Sequence, residues 1–199
     1  MQNIEEPDRY RADIAAAVAA LRKGGVILYP TDTVWGLGCD ATDADAVARI
    51  FKIKQRADSK ALITLVGSLA QLERTVEGIP EVAYDLIEYS ERPLTIVYDS
   101  AAPGARIAPN LPAPDGTLAV RLSTEEFSRR LCIAFGKPLV STSANISGEA
   151  TPRCFAEISP AIVDSADYVC TSRRDDAKDA RPSTVMRLSA DGLFKIIRP

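Results

Sequence analysis

The stretch Gly24–Asp40, GGVILYPTDTVWGLGCD, decides how the rest of the chain is read. Val26, Ile27, Leu28 and Tyr29 are β-branched, aliphatic and aromatic in unbroken succession, which predicts a short buried strand. Pro30 ends it, because proline has no N–H to give to a sheet ladder. Three small polar residues follow, Thr31, Asp32 and Thr33, where a core would place none. Gly36 and Gly38 then read as points where the backbone turns tightly and comes close to a ligand. A polar strand end beside glycines suits a small-molecule site in an α/β protein. An ordinary strand-to-loop transition uses the same residue types.

A second polar strand end lies far along the chain. Pro138–Val140 reads as a strand, and Ser141-Thr142-Ser143-Ala144-Asn145-Ile146-Ser147-Gly148 follows it. Such hydroxyls, with exposed backbone amides, can cradle a phosphate or a base edge; a Ser/Thr-rich turn is the plainer alternative. Between these segments, Thr42–Lys54 predicts a capped helix whose apolar stripe (Ala46, Val47, Ile50, Phe51) ends in Lys54. Arg56 and Lys60 come just after. These cations either satisfy the helix dipole or clamp an anion. Thr117–Leu122 alternates as a strand with Thr117, Ala119 and Arg121 on one face. Arg121 there is either the partner of a carboxylate or an edge-strand gatekeeper.

The remaining elements follow from periodicity. Helices are predicted over Asp13–Lys23, Ser68–Arg74, Val82–Tyr89 and Glu125–Phe135. Strands are predicted over Ala61–Val66, Thr95–Tyr98, Asp167–Cys170, Pro182–Arg187 and Phe194–Arg198. The proline-rich run from Ala101 to Gly116 reads as a surface loop and a candidate flap, and Thr171–Arg181 as an exposed charged segment.

With 199 residues, 46% of them hydrophobic, the chain suits one domain spanning 1–199, its core from about residue 11. No apolar run is long enough to span a bilayer, and the acidic, polar start is unlike a secretory signal peptide. A cytoplasmic, membrane-free protein is expected. The four cysteines are widely separated, which favours free thiols. Histidine is absent, which removes imidazole catalysis and histidine-bound metals. A net charge of −3 argues against tight nonspecific binding to nucleic acid. What chemistry remains must run on positioning, charge and backbone amides.

No P-loop or GxGxxG occurs. The ordered set PTDTVWGLGCDA, KQR, TLAVR, PLVSTSANISG, PSTV and a terminal IIRP instead resembles the YrdC-type threonylcarbamoyl-AMP synthase family, in its short form. The resemblance implies an α/β (α+β) fold, a twisted, mixed open sheet flanked by helices around a deep concave cavity. It implies an enzyme that joins L-threonine, bicarbonate and ATP into threonylcarbamoyl-adenylate and releases pyrophosphate. Mg2+ would arrive on the triphosphate, with no metal ligand from protein side chains. The product would feed a downstream threonylcarbamoyl transferase complex that modifies adenosine 37 of tRNA. Lys54, Arg56, Ser143 and Asn145 match the family's tetrad lining the cavity. Thr33, Arg121, Thr142 and Ser183 match positions that hold threonine. Arg56, Lys60, Thr117, Ser143, Thr151 and Arg198 match positions around ATP. A paralogue that binds tRNA or double-stranded RNA without this activity is the alternative, and a carbamoyl-phosphate-using maturation domain is a third. The latter's zinc-finger and acylphosphatase segments are lacking here.

Overall fold

The apolar run before Pro30 forms strand β1 (Ile27–Tyr29), every residue of it buried. The computed structural model describes residues 8–55, 62–176 and 182–199. Helix α1 (Arg11–Arg22) precedes β1, and the chain doubles back as β2 (Gly36–Asp40), antiparallel to it. Next come α2 (Ala44–Ile53), β3 (Ile63–Val66), α3 (Leu69–Thr75), α4 (Glu81–Glu88) and β4 (Leu94–Tyr98). The second half holds β5 (Leu118–Leu122), α5 (Glu126–Phe135), β6 (Leu139–Ser143), α6 (Pro160–Ser165), β7 (Tyr168–Val169), β8 (Thr184–Leu188) and β9 (Phe194–Arg198).

The strands form one mixed sheet in the order β7-β1-β2-β6-β3-β5-β4-β8-β9. Its two ends, β7 and β9, do not meet, so the sheet is open. The order brings the two polar strand ends together. Gly36 at the start of β2 faces Ser143 at the end of β6, and Leu37 faces Thr142. β5 lies inside the sheet between β3 and β4. Arg121 therefore sits on a central strand, and the edge-gatekeeper role is ruled out.

Three local expectations change. Gly36 and Gly38 make no turn; they lie within β2. They are small because the Tyr29 ring packs across them: a Cβ on Gly38 would stand 2.7 Å from the ring and 2.9 Å from the Val140 carbonyl. The 101–116 segment is no free flap. Ala108 and Leu111 are buried, Ala108 donates its N–H to the Ala41 carbonyl, and Asn110 donates its amide to Ala44. The described part of the charged segment, 171–176, is also tied down. Residues 177–181 fall outside the described residues.

Asp13 does much of that tying. Buried on α1, its carboxylate accepts from the Tyr168 hydroxyl at 2.6 Å and from the Thr171 and Ser172 N–H groups at 3.0 and 2.7 Å. Burial pushes the Asp13 carboxyl up, and the hydrogen bonds from Ser172, Tyr168 and Thr171 outweigh it, holding it below its ordinary value. A depressed carboxyl stabilises the fold above its unfolded pKa, and that contribution disappears as the pH falls through the folded one. Asp13→Asn is expected to cost about 2–3 kcal/mol at neutral pH. Urea unfolding should show the gap to the parent closing in acid. A gap that stays constant down to acid pH would assign the loss to packing instead.

Candidate active site

The two polar strand ends and the inner strands enclose a cavity of ≈ 440 Å³. That is within the range of small-molecule sites. Residues two apart line it on β4 (Thr95 and Val97) and on β5 (Ala119 and Arg121), as strand periodicity requires, while the end of β6 gives three in a row, Ser141, Thr142 and Ser143, and Ser183 and Val185 come from the start of β8 and the residue before it. Thr31, Thr33 and Val34 of the loop after β1 close one side, and Thr151, Ile197 and Arg198 another. The wall is thus aliphatic with hydroxyls and two guanidinium groups.

Of the residues singled out from sequence, this one cavity collects Thr33, Arg121, Thr142, Ser143, Thr151, Ser183 and Arg198. They come from six separate places along the chain. Three of the others do not line it. Lys54, at the C-terminal end of α2, is only 2% exposed. Its ammonium lies behind the end of β6, donating to the carbonyls of Ser143 and Asn145, both at 2.5 Å, and to Asn145 Oδ1 at 3.2 Å. Asn145 shares this buried cluster, with the Ser143 hydroxyl 2.5 Å from its Oδ1. Thr117 is buried at the start of β5, its hydroxyl donated to Asp115 at 2.7 Å. Arg56 and Lys60 lie outside the described residues.

Ser183 and Arg198 are held together. Arg198 donates from Nε and Nη2 to the Ser183 carbonyl at 3.1 and 2.9 Å, and the Ser183 hydroxyl is 2.9 Å from that of Thr95. The register of β4 and β5 sets Thr95 directly beside Arg121.

Asp32, in sequence one of three small polar residues after β1, is the ion partner of Arg121: Nη2 lies 3.1 Å from Oδ1, with both side chains almost fully buried. Arg121 Nε and both Asp32 oxygens are buried without a hydrogen bond among the described residues. Burial pushes the Asp32 carboxyl above the ordinary carboxylate range, and the neighbouring Arg121 guanidinium partly offsets this. Buried polar groups are normally satisfied, so this pair stands apart from the hydrogen-bonded groups around it.

The donor set suits an anion better than a cation. Among the described residues no group of three or more Cys, Asp or Glu side chains could hold a metal ion. Among the same residues no helix is long and apolar enough to cross a membrane. A second polar hollow of ≈ 480 Å³ surrounds Thr171–Asp176, but there Arg173 is paired with Glu125 and Asp176, and Arg174 with backbone carbonyls.

Comparison with known proteins bears on the fold and the family. The profile of the Sua5/YciO/YrdC family, described as telomere recombination, matches residues 19–199. The threonylcarbamoyl-AMP synthase of Chromohalobacter salexigens is 40% identical over 181 residues, covering 89% of this chain and 93% of the relative. That of Xanthomonas campestris pv. campestris (strain B100) is 37% identical over 185 residues, covering 88% and 97%. Among solved structures, P. abyssi Sua5 complexed with L-threonine superposes with a TM-score of 0.81 at 30% identity, covering 94% of this chain and 53% of that one. This chain therefore spans about half the length of that Sua5. E. coli YciO gives 0.80 at 26% identity, covering 96% and 89%. Full-length HypF, at 23% identity and a TM-score of 0.77 over 94% of this chain and 28% of its own, shares the fold. The chain belongs to the Sua5/YciO/YrdC family.

Proposed function

We propose that the protein is a threonylcarbamoyl-AMP synthase. The carrying observation is convergence: Thr33, Thr142, Arg121 and Ser183, expected around threonine, share one cavity with Ser143, Thr151 and Arg198, expected around ATP. In the reaction, bicarbonate takes up a proton and loses water to give CO2, and threonine's amine bonds to that carbon and gives up a proton, leaving a carbamate. A carbamate oxygen then bonds to the α-phosphorus of ATP as the bond to the β-phosphate oxygen breaks, and pyrophosphate leaves with that electron pair.

Neither step calls for a histidine; both call for aligned reactants and for charge on the wall. Arg121 takes threonine's carboxylate, Thr33 and Thr142 its polar groups, and Arg198 the nucleotide. Lys54 and Asn145 act from behind, holding the turn that carries Ser143. Mg2+ would come in on the triphosphate and offset its charge there. The product passes to a threonylcarbamoyl transferase complex in the cytoplasm, for adenosine 37 of tRNA.

The purified protein with Mg2+-ATP and bicarbonate is expected to release pyrophosphate only when L-threonine is added, with serine a poor substitute. Release that is indifferent to threonine would overturn this assignment. Salt-sensitive RNA binding without turnover would favour the non-catalytic alternative.

A further inference from the structure

From the cavity wall outward, four charged side chains alternate in sign. Arg121 lies against Asp32 at 3.1 Å. The Asp32 loop is then gripped by Arg173, whose Nη1 donates to the Thr31 carbonyl at 3.2 Å. The same Nη1 lies 2.9 Å from Glu125 Oε1, and the Nε lies 2.7 Å from Asp176. Glu125 in turn caps α5, accepting from the N–H groups of Phe127 and Ser128 at 3.0 and 2.9 Å. The first three are nearly buried, Arg173 included, with a side chain only 11% exposed.

Two features show that this row is more than a solvated charge cluster. The Arg173 backbone is left-handed, φ 61°, a conformation that a non-glycine residue keeps only where its surroundings hold it. The loop it grips is also braced internally: the Thr31 hydroxyl donates to the Val34 carbonyl at 2.6 Å and accepts from the Thr33 N–H at 3.1 Å. Thr31, Thr33 and Val34 all line the cavity. A shift of this loop moves the cavity wall and the Asp32 carboxylate together.

We propose that Asp32 and Arg173 are positioning residues for the threonine subsite. Asp32 fixes the direction of the Arg121 guanidinium, and Arg173 fixes Asp32 by clamping its loop to α5 and to the 171–176 segment. The inference rests on the assignment of Arg121 to threonine's carboxylate. Two effects of neutralising Asp32 oppose each other. Losing a negative charge beside Arg121 strengthens its attraction for a carboxylate. Freeing the long guanidinium side chain means that it must be ordered again each time substrate binds. Orientation is expected to win, because the aliphatic and hydroxyl groups around Arg121 offer no other charged partner among the described residues to hold it in place.

The test compares the parent with Asp32→Asn and Arg173→Met by pyrophosphate release and by threonine calorimetry. Asp32→Asn is expected to raise the threonine KM about tenfold or more while the ATP KM changes less than about twofold. Arg173→Met should do the same more weakly, and it decides the matter if Asp32→Asn does not fold. In an Arg121→Met background, Asp32→Asn should bring no further loss of threonine affinity, because its effect runs through that guanidinium. Threonine binding that is unchanged or tighter in both single variants, or ATP and threonine weakened equally, overturns the proposal. A parent that turns over ATP without needing threonine fails one step earlier and removes the assignment on which the proposal stands.

Discussion

Lys54→Met is expected to lower thermal stability and turnover together. The side chain is one of the largest fully buried ones, and its ammonium serves two backbone carbonyls at the end of β6. Its own carbonyl accepts the Ser147 N–H at 2.9 Å, so the residue clips the 143–147 turn from both main chain and side chain. Methionine keeps the length and apolar stem but leaves those carbonyls without this donor. A buried acceptor stripped of its partner costs about 1–3 kcal/mol, so the variant should lose on the order of 3 kcal/mol. For a chain of this size that is a drop of roughly 6–12 °C in Tm. A lysine that only offsets a helix dipole is worth about 0.3–1 kcal/mol, far less. Turnover should fall about a hundredfold, because Thr142 and Ser143 shift with the turn. Scanning calorimetry and the pyrophosphate assay decide between roles. Activity lost at an unchanged Tm would place the ammonium on substrate; both unchanged would show that the backbone holds the turn unaided.

Lys54 also shows where sequence reading stops. Its place at the end of an apolar helical stripe was visible from spacing, and α2 forms as expected with Asp43 as its cap. That the ammonium turns inward onto carbonyls 89 and 91 residues away depends on how β6 is laid against the helix. Strands such as β1 and β5 were legible because apolar runs and alternation are local signals. β6 was expected to stop at Val140, yet it runs on to Ser143. Hydroxyl residues read as loop when the neighbouring strand that accepts them is unknown. The glycines of β2 misled for a similar reason. Glycine signals turn or close approach alike, and only the Tyr29 ring shows which applies. The Asp32–Arg121 pair had no local signal. It exists because the sheet order folds the loop after β1 over the end of β5.

Arg121→Met is expected to be the most damaging single change, with a pH signature of its own. On the binding side, loss of a charge-assisted contact to a carboxylate should weaken threonine by about 2–3 kcal/mol, or roughly 30- to 150-fold. ATP binding should change far less. On the stability side, the variant leaves Asp32 buried without its cation, and breaking a buried pair costs about 3–5 kcal/mol. Asp32 is already pushed above the ordinary carboxylate range by burial, with Arg121 pulling it back. Removing the guanidinium lets the carboxyl rise further. An acid whose folded pKa is raised binds its proton more tightly when folded, so stability falls as pH climbs from the unfolded value through the folded one. The deficit of Arg121→Met should therefore be smallest in acid, where Asp32 is protonated, and reach its full size once the pH passes the raised value. Adding Asp32→Asn should remove the buried charge, recover much of the lost stability and flatten the pH dependence, while threonine binding stays lost. Denaturant unfolding of the three proteins between about pH 5 and pH 8, beside threonine calorimetry, separates the two effects. A deficit that is the same at every pH, and is not relieved by Asp32→Asn, would mean that the carboxylate does not feel the guanidinium it faces.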